Sequence, residues 1–414
     1  DRTIRKNLKN KNLYELGDLV GWSGLEKHYE SFLMGVRGTY FYEVDASGRE
    51  VGSASELKDT RPSPGGNIQT TIDLQLQMYC EKLMVNKKGV ILVGQPESGG
   101  ILAAVSSPDY PPDFFTGLIT ESDWENLKNN PDKPLMNRYL QGKYIPGSIV
   151  KMITQVTLLN SENFNKDMKQ YCPGFYQYGD RIFGCWFTEG HGDLSLTEAM
   201  SVSCDVFFYK TIKQIKLNTL YDSFKQFGFG LKTKIDIPNE VSGLVPDKDY
   251  MLKRYGKYGW SQGVLLNLAI GQGELLVTPI QVLNYVNLLA TKGNSPNCHF
   301  VFVDNSTKNV KPVLKNEIWD SIHEGLRAAI VSKNGTGKKA DIDLEGFELY
   351  GKTGTAENSH GDDHAWFVGW ADYEYKKYSI VILLENAGSG GVVAAPMANK
   401  VFSKLINKND LVSK

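Results

Sequence analysis

The chain has 414 residues, with 46 basic and 47 acidic side chains and a formal net charge of -1. This balance argues against a nucleic-acid-binding surface and against membrane association driven by charge. The length exceeds what one hydrophobic core usually fills, and a composition of 41% hydrophobic and 22% charged residues is ordinary for globular proteins, so two folded units are expected.

Signals for membrane insertion and for a disulfide scaffold are weak. Apolar runs of 18 residues are absent, so no spanning helix or signal peptide is predicted within these residues. The sequence starts at Asp1 rather than Met, and a chain trimmed at its N-terminus would look the same. Five cysteines are too few for a disulfide scaffold.

The N-terminal part is polar and rich in turns. Residues 21–35 predict a short amphipathic helix, and residues 38–51 predict a hairpin around Ser-Gly. Two prolines and two glycines in residues 58–67 indicate a linker. The domain boundary is therefore predicted between residues 1–64 and residues 65–414.

The second unit is predicted to begin with a strand that leads into a helix, in the stretch NIQTTIDLQLQMYCEKLMV, followed by a hairpin at residues 88–110. The middle of the chain is mostly helical by its apolar period. Three strands return near the end and precede an amphipathic helix, APMANKVFSKLI. One sheet would thus take strands from both ends of the domain around a helical insertion, which is an α+β arrangement.

Ser148 and Lys151 lie three residues apart in the stretch YIPGSIVKMITQ, where a Pro-Gly pair precedes an apolar run. The Pro-Gly pair suits the first turn of a helix, and a helix that is apolar on most faces is buried. A serine becomes a good nucleophile when a base takes its proton, and burial lowers the pKa of a lysine so that it can act as that base. The alternative is a serine N-cap followed by a lysine that reaches solvent. A second Ser-x-x-Lys, Ser55 to Lys58, occurs in the linker region, so the pattern alone is weak.

A second motif consists of Ser203 and Asp205 on either side of Cys204, just before an apolar run that predicts a helix. An N-cap at Ser203 and a favourable interaction of Asp205 with the helix dipole would explain the same residues. Taken alone, the motif favours this structural explanation.

The third motif is KTGT at residues 352–355, at the end of a predicted strand. Lys352 would set a cation beside the hydroxyls of Thr353 and Thr355. Gly354 would remove a side chain that blocks a ligand lying along the strand edge. These features suit a carboxylate ligand bound partly by strand addition, although a hairpin turn explains the same residues without a ligand.

Together and in this order, the three motifs are those shared by penicillin-binding proteins and class A serine β-lactamases. The chain resembles the class B penicillin-binding proteins, and within them the elongation-specific group. The resemblance covers nearly all of the chain and extends to the stretches TTIDLQLQ, AIGQGELLVTPIQ, HAWFVGWA and AAPMANKVF.

The resemblance implies an α+β fold of the penicillin-binding-protein and serine β-lactamase type. This fold has an antiparallel sheet with helices on both faces, an inserted helical subdomain and, here, a partial N-terminal pedestal in residues 1–64. The implied function is a peptidoglycan D,D-transpeptidase that cross-links stem peptides in cell elongation, that β-lactams inhibit, and that allows a carboxypeptidase side activity. The implied location is the periplasmic face of the inner membrane, with an anchoring N-terminal helix that this sequence lacks.

The resemblance also assigns roles to the motif residues. Ser148 would be the nucleophile and Lys151 its base. Ser203 would donate a proton to the leaving D-alanine, helped by Lys151 and by Lys352, which is therefore also catalytic. The oxyanion would be held by the backbone N–H groups of Ser148 and Thr355. Asp205 stands where most of the superfamily has Asn, a variation that relatives in the elongation-specific group share. The substrate carboxylate would be held by Lys352, Thr353, Gly354 and Thr355.

The implied partners are peptidoglycan stem peptides, β-lactams and, for the pedestal, a membrane glycosyltransferase of the shape, elongation, division and sporulation family and rod-shape scaffold proteins. No nucleic acid is expected.

Two stretches receive no catalytic role. Residues 385–391 have Ser389 where relatives often have His, and residues 334–339, NGTGKK, lack the ends of a phosphate loop and match a Gly-Thr-Gly turn of the family.

Three other functions remain open. A serine β-lactamase of the same fold needs a placed carboxylate and water for fast deacylation and is usually a single domain, whereas this chain has an extra N-terminal unit. A β-lactam-sensing receptor would keep the same motifs without cross-linking. A non-enzymatic scaffold is disfavoured because all three motifs are intact.

Four residues have the spacing of a metal site: Cys172, Cys185, His191 and Cys204, with 12, 5 and 12 residues between successive members. Three thiolates and one imidazole are a complete tetrahedral set for structural zinc. The alternatives are one disulfide with a spare thiol, and a turn whose histidine bonds to the backbone. The other two cysteines, Cys80 and Cys298, are predicted to be small core residues.

The resemblance favours zinc. Some relatives carry it in this segment, with a histidine in a Gly-His-Gly context that matches His191 and a cysteine in the second motif that matches Cys204. Their first two ligands are often acidic, and Cys172 and Cys185 would take those positions. Such a structural metal would fix the loop that presents the second motif to Lys151.

Overall fold

The computed structural model describes residues 14, 18–54, 56–115, 117, 119–257, 260–302, 311–358 and 361–412. Ser55 and parts of the predicted N-terminal unit, residues 1–13 and 15–17, lie outside these ranges. Two compact units are formed. The first contains the described residues up to Thr70 together with Asp236–Pro238 and Phe300–Phe302, and the second contains the remainder.

The first unit is built from short elements. Helix α1 spans Gly24–Leu33, and strands β1 (Tyr42–Val44) and β2 (Glu50–Ser53) pair antiparallel. The predicted helix and hairpin are therefore confirmed. None of their residues is buried, so these elements contribute little to a hydrophobic core.

Asp236 joins distant parts of the sequence within this first unit. Its carboxylate accepts hydrogen bonds from the Tyr29 hydroxyl at 3.0 Å and from the backbone N–H groups of Phe300 and Val301 at 2.8 and 2.9 Å. Hydrogen bonds to an ionised acceptor are stronger than neutral ones. The unit is thus completed by segments that the linker pattern could not reveal.

The second unit begins with helix α2 (Leu74–Met84) and the hairpin of strands β3 (Gly89–Gly94) and β4 (Ile101–Ser107). The strand predicted just before α2 is not formed among the described residues, where Thr70 makes a single bridge to Val301. The helices that follow are α3 (Glu121–Lys128), α4 (Arg138–Gln141), α5 (Lys151–Leu159), α6 (Leu196–Ser201), α7 (Asp205–Ile212), α8 (Leu217–Gln226), α9 (Lys248–Tyr255), α10 (Gly263–Ala269), α11 (Pro279–Ala290) and α12 (Asn316–Val331). The chain ends with strands β9 (Glu348–Ala356), β10 (His364–Tyr373), β11 (Lys376–Leu384) and helix α13 (Gly390–Val412).

Four short strands interrupt the region predicted to be mostly helical. They pair as two separate antiparallel ribbons, β5 with β8 and β6 with β7. Strands of three or four residues are too short to give a clear alternating pattern in the sequence. Their bounds are β5 (Gln170–Cys172), β6 (Phe175–Tyr178), β7 (Arg181–Gly184) and β8 (Gly192–Leu194).

The main sheet has five antiparallel strands in the order β4-β3-β11-β10-β9. Strands from the beginning and the end of the domain therefore lie side by side, as the sequence predicts. The nine-residue register between β9 and β10 is continuous and pairs Lys352 with Val368. Strand β9 is at the edge of the sheet, so its outer side has no strand partner in the described part of the chain.

Helices cover both faces of this sheet, as expected for the predicted fold class. On one face, Phe367 and Ile382 belong to a buried cluster that includes residues of α2 and α13. On the other face, the Ser379 hydroxyl of β11 donates a 2.6 Å hydrogen bond to Asn287 of α11. All twelve residues of α11 are buried, and its polar members Gln281, Asn284 and Asn287 form hydrogen bonds inside the protein. The helix begins with a capping box between Thr278 and Gln281.

Within the described residues, no helix combines the length and the apolar character that crossing a bilayer requires.

Candidate active site

Ser148 lies on a short 3-10 turn, Gly147–Val150, that leads directly into the buried helix α5. Gly147 has φ of +59°, and its N–H donates to the Gly271 carbonyl oxygen at 2.9 Å. A Cβ at Gly147 would lie 2.6 Å from the Thr355 oxygen of β9, so only glycine allows this close approach. The turn therefore holds Ser148 beside the edge strand.

Lys151 is fully buried, with an exposed fraction of 0%. Its Nζ donates to the Ser203 carbonyl oxygen at 2.8 Å, to the Ser203 hydroxyl at 3.2 Å and to Asp205 Oδ1 at 2.7 Å. Three acceptors match the three N–H groups of an ammonium. No hydrogen bond joins Ser148 to Lys151 among those that the described residues form. The alternative of a lysine that reaches solvent is wrong.

The second motif does not cap the helix in the way that its sequence suggests. Helix α7 begins at Asp205 with Cys204 at the N-cap position, and no side chain caps it. Ser203 has φ of +57°, a left-handed conformation that is uncommon for a non-glycine residue and recurs at functional sites. The hydroxyl of Ser203 instead lies beside Lys151.

Asp205 is held at both of its carboxylate oxygens. Oδ1 pairs with Lys151, and Oδ2 accepts the backbone N–H of Trp186 at 3.1 Å. The ion pair is almost completely shielded from water, with side-chain exposures of 0% and 11%. A paired and hydrogen-bonded charge is the form in which a buried carboxylate is tolerated.

The third motif lies on β9. Lys352 is fully buried, and its Nζ donates to the Thr353 carbonyl oxygen at 3.2 Å. The Thr353 hydroxyl donates to the hydroxyl of Thr336 at 2.8 Å. Burial and the neighbouring Lys151 hold the pKa of Lys352 well below its usual range, while Asp205 acts in the opposite direction. Because Lys151 and Asp205 both influence Lys352, the three motifs belong to one electrostatic site.

Gly354 allows close packing inside the protein, in addition to the role that the sequence suggests. A Cβ there would lie 2.8 Å from Ile149, 3.1 Å from the Pro146 carbonyl oxygen and 3.1 Å from Trp366. The missing side chain therefore makes room for the segment that carries Ser148, rather than only for a ligand along the strand.

The four predicted metal ligands come together although they lie on separate elements. Cys172 ends β5, Cys185 follows β7, His191 precedes β8, and Cys204 is the N-cap of α7. One ligand atom from each lies within 4.8 Å of all the others. All five cysteines are free thiols, so the structure contains no disulfide between Cys172 and Cys185.

Two distances from His191 match those expected between the ligands of a tetrahedral zinc ion. His191 Nδ1 is 3.6 Å from the sulfur atoms of both Cys172 and Cys185. Zn–S and Zn–N distances of about 2.3 and 2.0–2.1 Å require a sulfur-to-nitrogen separation of about 3.6 Å in a tetrahedron. Hydrogen bonds from Cys204 and His191 lower the pKa of Cys185, and the same pairing raises the pKa of Cys204. The cluster thus favours a thiolate, which is the form of cysteine that binds metals.

Three contacts in the site involve residues to which the sequence assigned no catalytic role. Thr336 bonds to Thr353, the backbone N–H of Trp186 bonds to Asp205, and Gly271 receives the N–H of Gly147. Thr336 and Gly271 lie in stretches that match the family, the Gly-Thr-Gly turn and AIGQGELLVTPIQ. Trp186 follows Cys185 directly, and this proximity was the one signal that could have drawn attention to it.

Comparison with known proteins identifies the class of this site. The family described as the penicillin binding protein transpeptidase domain matches residues 89–403, and the penicillin-binding protein dimerisation domain matches residues 2–70. The chain belongs to the penicillin-binding protein transpeptidase family.

Within that family, the similarity is to class B proteins of the PBP2 type. The peptidoglycan D,D-transpeptidase MrdA of Haemophilus influenzae is 32% identical over 94% of this chain and 63% of its own length. PBP2 in its complex with MreC from Helicobacter pylori is 34% identical, with a TM-score of 0.85 over 93% of this chain and 72% of that one. A second similar structure comes from work on the structural coordination of polymerization and crosslinking by a peptidoglycan synthase complex. It is 28% identical, with a TM-score of 0.82 over 94% of this chain and 71% of that one. The chain thus spans somewhat less than two thirds of the length of the Haemophilus relative.

The lowered pKa of Lys352 predicts how carboxylate binding depends on pH. The Lys352 ammonium is present below that pKa and loses its charge as the pH rises through it. This loss occurs at a pH below 10.5, the ordinary pKa of lysine. We expect the non-covalent Kd of benzylpenicillin, measured with Ser148→Ala, to rise by up to about ten-fold per pH unit above that point.

Lys352→Arg in the same background is the matched control. Its guanidinium stays charged throughout the range, so the Kd should no longer follow this titration. If the Kd had the same pH profile with lysine and with arginine at position 352, Lys352 would not be the group that binds the carboxylate.

Proposed function

We propose that the protein is a peptidoglycan D,D-transpeptidase that cross-links stem peptides during cell elongation through a serine acyl-enzyme. The observation that carries this proposal is the buried amine of Lys151, which bonds to both Ser203 and Asp205 next to the turn that bears Ser148. A nucleophile, a base and a second proton carrier are the groups that acyl transfer needs.

In the first step, Ser148 Oγ attacks the carbonyl carbon between the two terminal D-alanines. Lys151 serves as the base that accepts the hydroxyl proton. The ammonium formed in this way is stabilised by Asp205, which lies 2.7 Å from Nζ. The oxyanion is stabilised by the backbone N–H groups of Ser148 and Thr355, by resemblance to the family.

Collapse of this intermediate breaks the peptide bond. The departing D-alanine receives a proton from Ser203, which is replenished by Lys151 through the 3.2 Å contact between them. An ester between Ser148 and the shortened stem peptide remains. Division of the reaction into two steps is the advantage of covalent catalysis.

In the second step, an amine from a neighbouring stem peptide attacks the ester carbonyl and the bond to Ser148 Oγ breaks. The proton that the amine loses passes by way of Lys151 to Ser148 Oγ, which restores the hydroxyl. Water in place of the amine would give the carboxypeptidase side activity. A β-lactam mimics the donor, and its opened ring stays on Ser148 as a long-lived ester.

The substrate carboxylate is held by Lys352, Thr353 and Thr355, with Gly354 keeping the strand close to the nucleophile turn. The free outer edge of β9 supports binding of an extended peptide by backbone hydrogen bonds. No cofactor takes part in this chemistry.

Two rivals of the same fold share these residues. A serine β-lactamase would turn over penicillin rapidly, whereas a transpeptidase keeps the acyl-enzyme. A β-lactam-sensing receptor would form the acyl-enzyme but make no cross-links. The similarity to proteins named for D,D-transpeptidase activity favours the transpeptidase.

A structural zinc ion would be held by Cys172, Cys185, His191 and Cys204. It would link the loops that carry these residues and would take no part in the reaction. Four protein ligands leave no open position for water or substrate. The 3.6 Å sulfur-to-nitrogen distances support this assignment. Cys204 lies between Ser203 and Asp205, so the cluster stabilises the loop that presents both side chains to Lys151.

Residues 1–64 would form a partial, non-catalytic pedestal and residues 65–414 the transpeptidase domain. The pedestal exposes apolar side chains that include Tyr42, Val44 and Val51, with exposures of 51–63%. Exposed apolar surface of this kind is typical of interaction sites. Its partners would be rod-shape scaffold proteins, as in the PBP2–MreC complex, and a membrane glycosyltransferase of the shape, elongation, division and sporulation family. The site of action would be the periplasmic face of the inner membrane.

Ser148→Ala tests the nucleophile. We expect it to abolish covalent labelling by a fluorescent penicillin, measured as a mass increase of the intact protein. Ser55→Ala is the matched control, because Ser55 and Lys58 repeat the Ser-x-x-Lys pattern elsewhere in the sequence. Its labelling should equal that of the wild type. Persistent labelling of Ser148→Ala would remove Ser148 from its role, and rapid loss of the label from the wild type would favour a β-lactamase.

Metal analysis tests the cysteine cluster. Protein purified without chelator should contain one zinc per chain. His191→Ala should lose most of it, melt at a lower temperature and react with penicillin about ten-fold more slowly, since supporting shells of this kind position the reacting groups. Cys80→Ala, a buried cysteine outside the cluster, should keep its zinc. Zinc-free protein with a Cys172–Cys185 disulfide in its mass spectrum would refute the site.

The pedestal surface is tested in the full-length protein by Val51→Asp. A charge within an apolar contact should weaken binding of the MreC-type scaffold by about ten-fold or more, without any effect on penicillin labelling. Val392→Asp on α13, where Val392 is similarly exposed at 58%, should bind normally. Unchanged binding in Val51→Asp, and after deletion of residues 1–60, would argue against the pedestal as the partner site.

A further inference from the structure

The turn after β11, to which the sequence assigned no role, begins with a charged residue that faces inward. Glu385 directly follows the strand, and its side chain is 18% exposed. Its Oε1 accepts hydrogen bonds from Arg138 Nε at 3.0 Å and from the Tyr144 hydroxyl at 2.7 Å. The three side chains come from α4, from the segment before the nucleophile and from the end of the sheet.

Arg138 supplies the counter-charge and is itself immobilised. It is 3% exposed, and its remaining nitrogens donate to the carbonyl oxygens of Lys133 at 3.2 Å and Asp132 at 2.6 Å. Burial and the Glu385 carboxylate hold the pKa of Tyr144 well above its usual range, so its hydroxyl keeps its proton and donates. A buried polar network is rigid when its charges are paired and each donor nitrogen and hydroxyl has an acceptor, as is the case here.

Tyr144 lies four residues before Ser148, in a segment held on several sides. Its N–H and carbonyl oxygen both bond to Val277 at 2.9 Å, and the carbonyl oxygen of the next residue, Ile145, accepts Trp366 Nε1 at 3.1 Å. The bond from the Tyr144 hydroxyl to Glu385 connects this segment to the turn after β11.

The other end of the same turn reaches the edge strand. Gly390 N–H points at the Thr355 hydroxyl from 3.5 Å, and Asn386 N–H donates to His364 Nδ1 at 3.1 Å. The turn therefore touches both the segment that leads to Ser148 and the residue at the end of the third motif. These two places carry the N–H groups assigned to the oxyanion.

We infer that Tyr144, Glu385 and Arg138 form a buried clamp that sets the position of Ser148 relative to Thr355, with Tyr144 as a positioning residue for acylation. This inference rests on the proposed function, in which Ser148 is the nucleophile. A misplacement of reacting groups by one ångström or less slows such reactions strongly. We therefore expect the clamp to affect the rate of acylation rather than the binding of the ligand.

Tyr144→Phe removes the hydroxyl and leaves the ring in place. In the full chain, we expect the rate constant of acylation at saturating penicillin to fall by about ten-fold, whereas the non-covalent Kd changes by less than about two-fold. Tyr285→Phe is the matched control, because Tyr285 is also buried and its hydroxyl has no hydrogen-bond partner among the described residues. Both constants should stay within about two-fold of the wild type in this control.

Variants of Glu385 separate positioning from stability. Glu385→Gln keeps an oxygen for the Tyr144 hydroxyl but removes the counter-charge of Arg138, so the melting temperature should fall while acylation stays within about three-fold of the wild type. Glu385→Ala should reproduce the loss of rate in Tyr144→Phe. The double variant with Tyr144→Phe should lose no more than the larger of the two single losses, because both remove the same contact.

The outcomes are distinguishable. A wild-type rate in Tyr144→Phe, whether or not its melting temperature falls, would overturn the inference and leave the nucleophile assignment intact. A loss in Tyr144→Phe that appears wholly in Kd would also overturn it. Absence of acylation at Ser148 in the wild type would instead defeat the proposed function.

Discussion

The amine of Lys151 must be satisfied inside the protein, and the arrangement of the site follows from that requirement. An ammonium removed from water is strongly destabilising unless each N–H has an acceptor and a counter-charge is close. Here all three acceptors come from Ser203 and Asp205, at 2.7 to 3.2 Å. The interactions that make burial of the lysine tolerable therefore also fix the second motif against α5, the helix that begins at Lys151 and follows the turn of Ser148.

Backbone packing fixes the third side of the site. Gly147, Gly271 and Gly354 lie where the turn of Ser148 meets its two neighbours. A Cβ at Gly147 or Gly271 would lie 2.6 or 2.0 Å from a backbone oxygen of the facing segment, and one at Gly354 would lie 3.1 Å from the Pro146 carbonyl oxygen. Contacts between backbones have no rotamers to change, so they hold distances more tightly than side-chain contacts do. The edge strand β9 thus carries Lys352 at the site, while its outer side has no strand partner among the described residues.

The cysteine cluster and the catalytic loop share the same chain segments. Cys204 lies inside the second motif, and the residue after Cys185, Trp186, donates its backbone N–H to Asp205. Any link between Cys185 and Cys204 therefore also restrains the carboxylate that pairs with Lys151. The cluster and the ion pair between Lys151 and Asp205 are therefore held by the same two chain segments.

Local patterns determined much of the fold from sequence alone. The hairpins, the strands at both ends of the domain and the C-terminal helix follow from turn residues and from apolar periods of two and 3.6. The order of the motifs around Ser148, Ser203 and Lys352 identified the family. The short strands β5 to β8 were missed, because three or four residues are too few to establish a period.

Tertiary structure alone decided which residues meet. Lys151 and Ser203 are 52 positions apart, and Tyr144 and Glu385 are 241 apart, so no local pattern could pair them. Ser203, which the sequence suggested as a helix cap, instead has a left-handed backbone conformation and bonds to Lys151. The reason is physical: periodicity reports which face of an element is apolar, whereas the partner of a buried charge is set by how the elements pack.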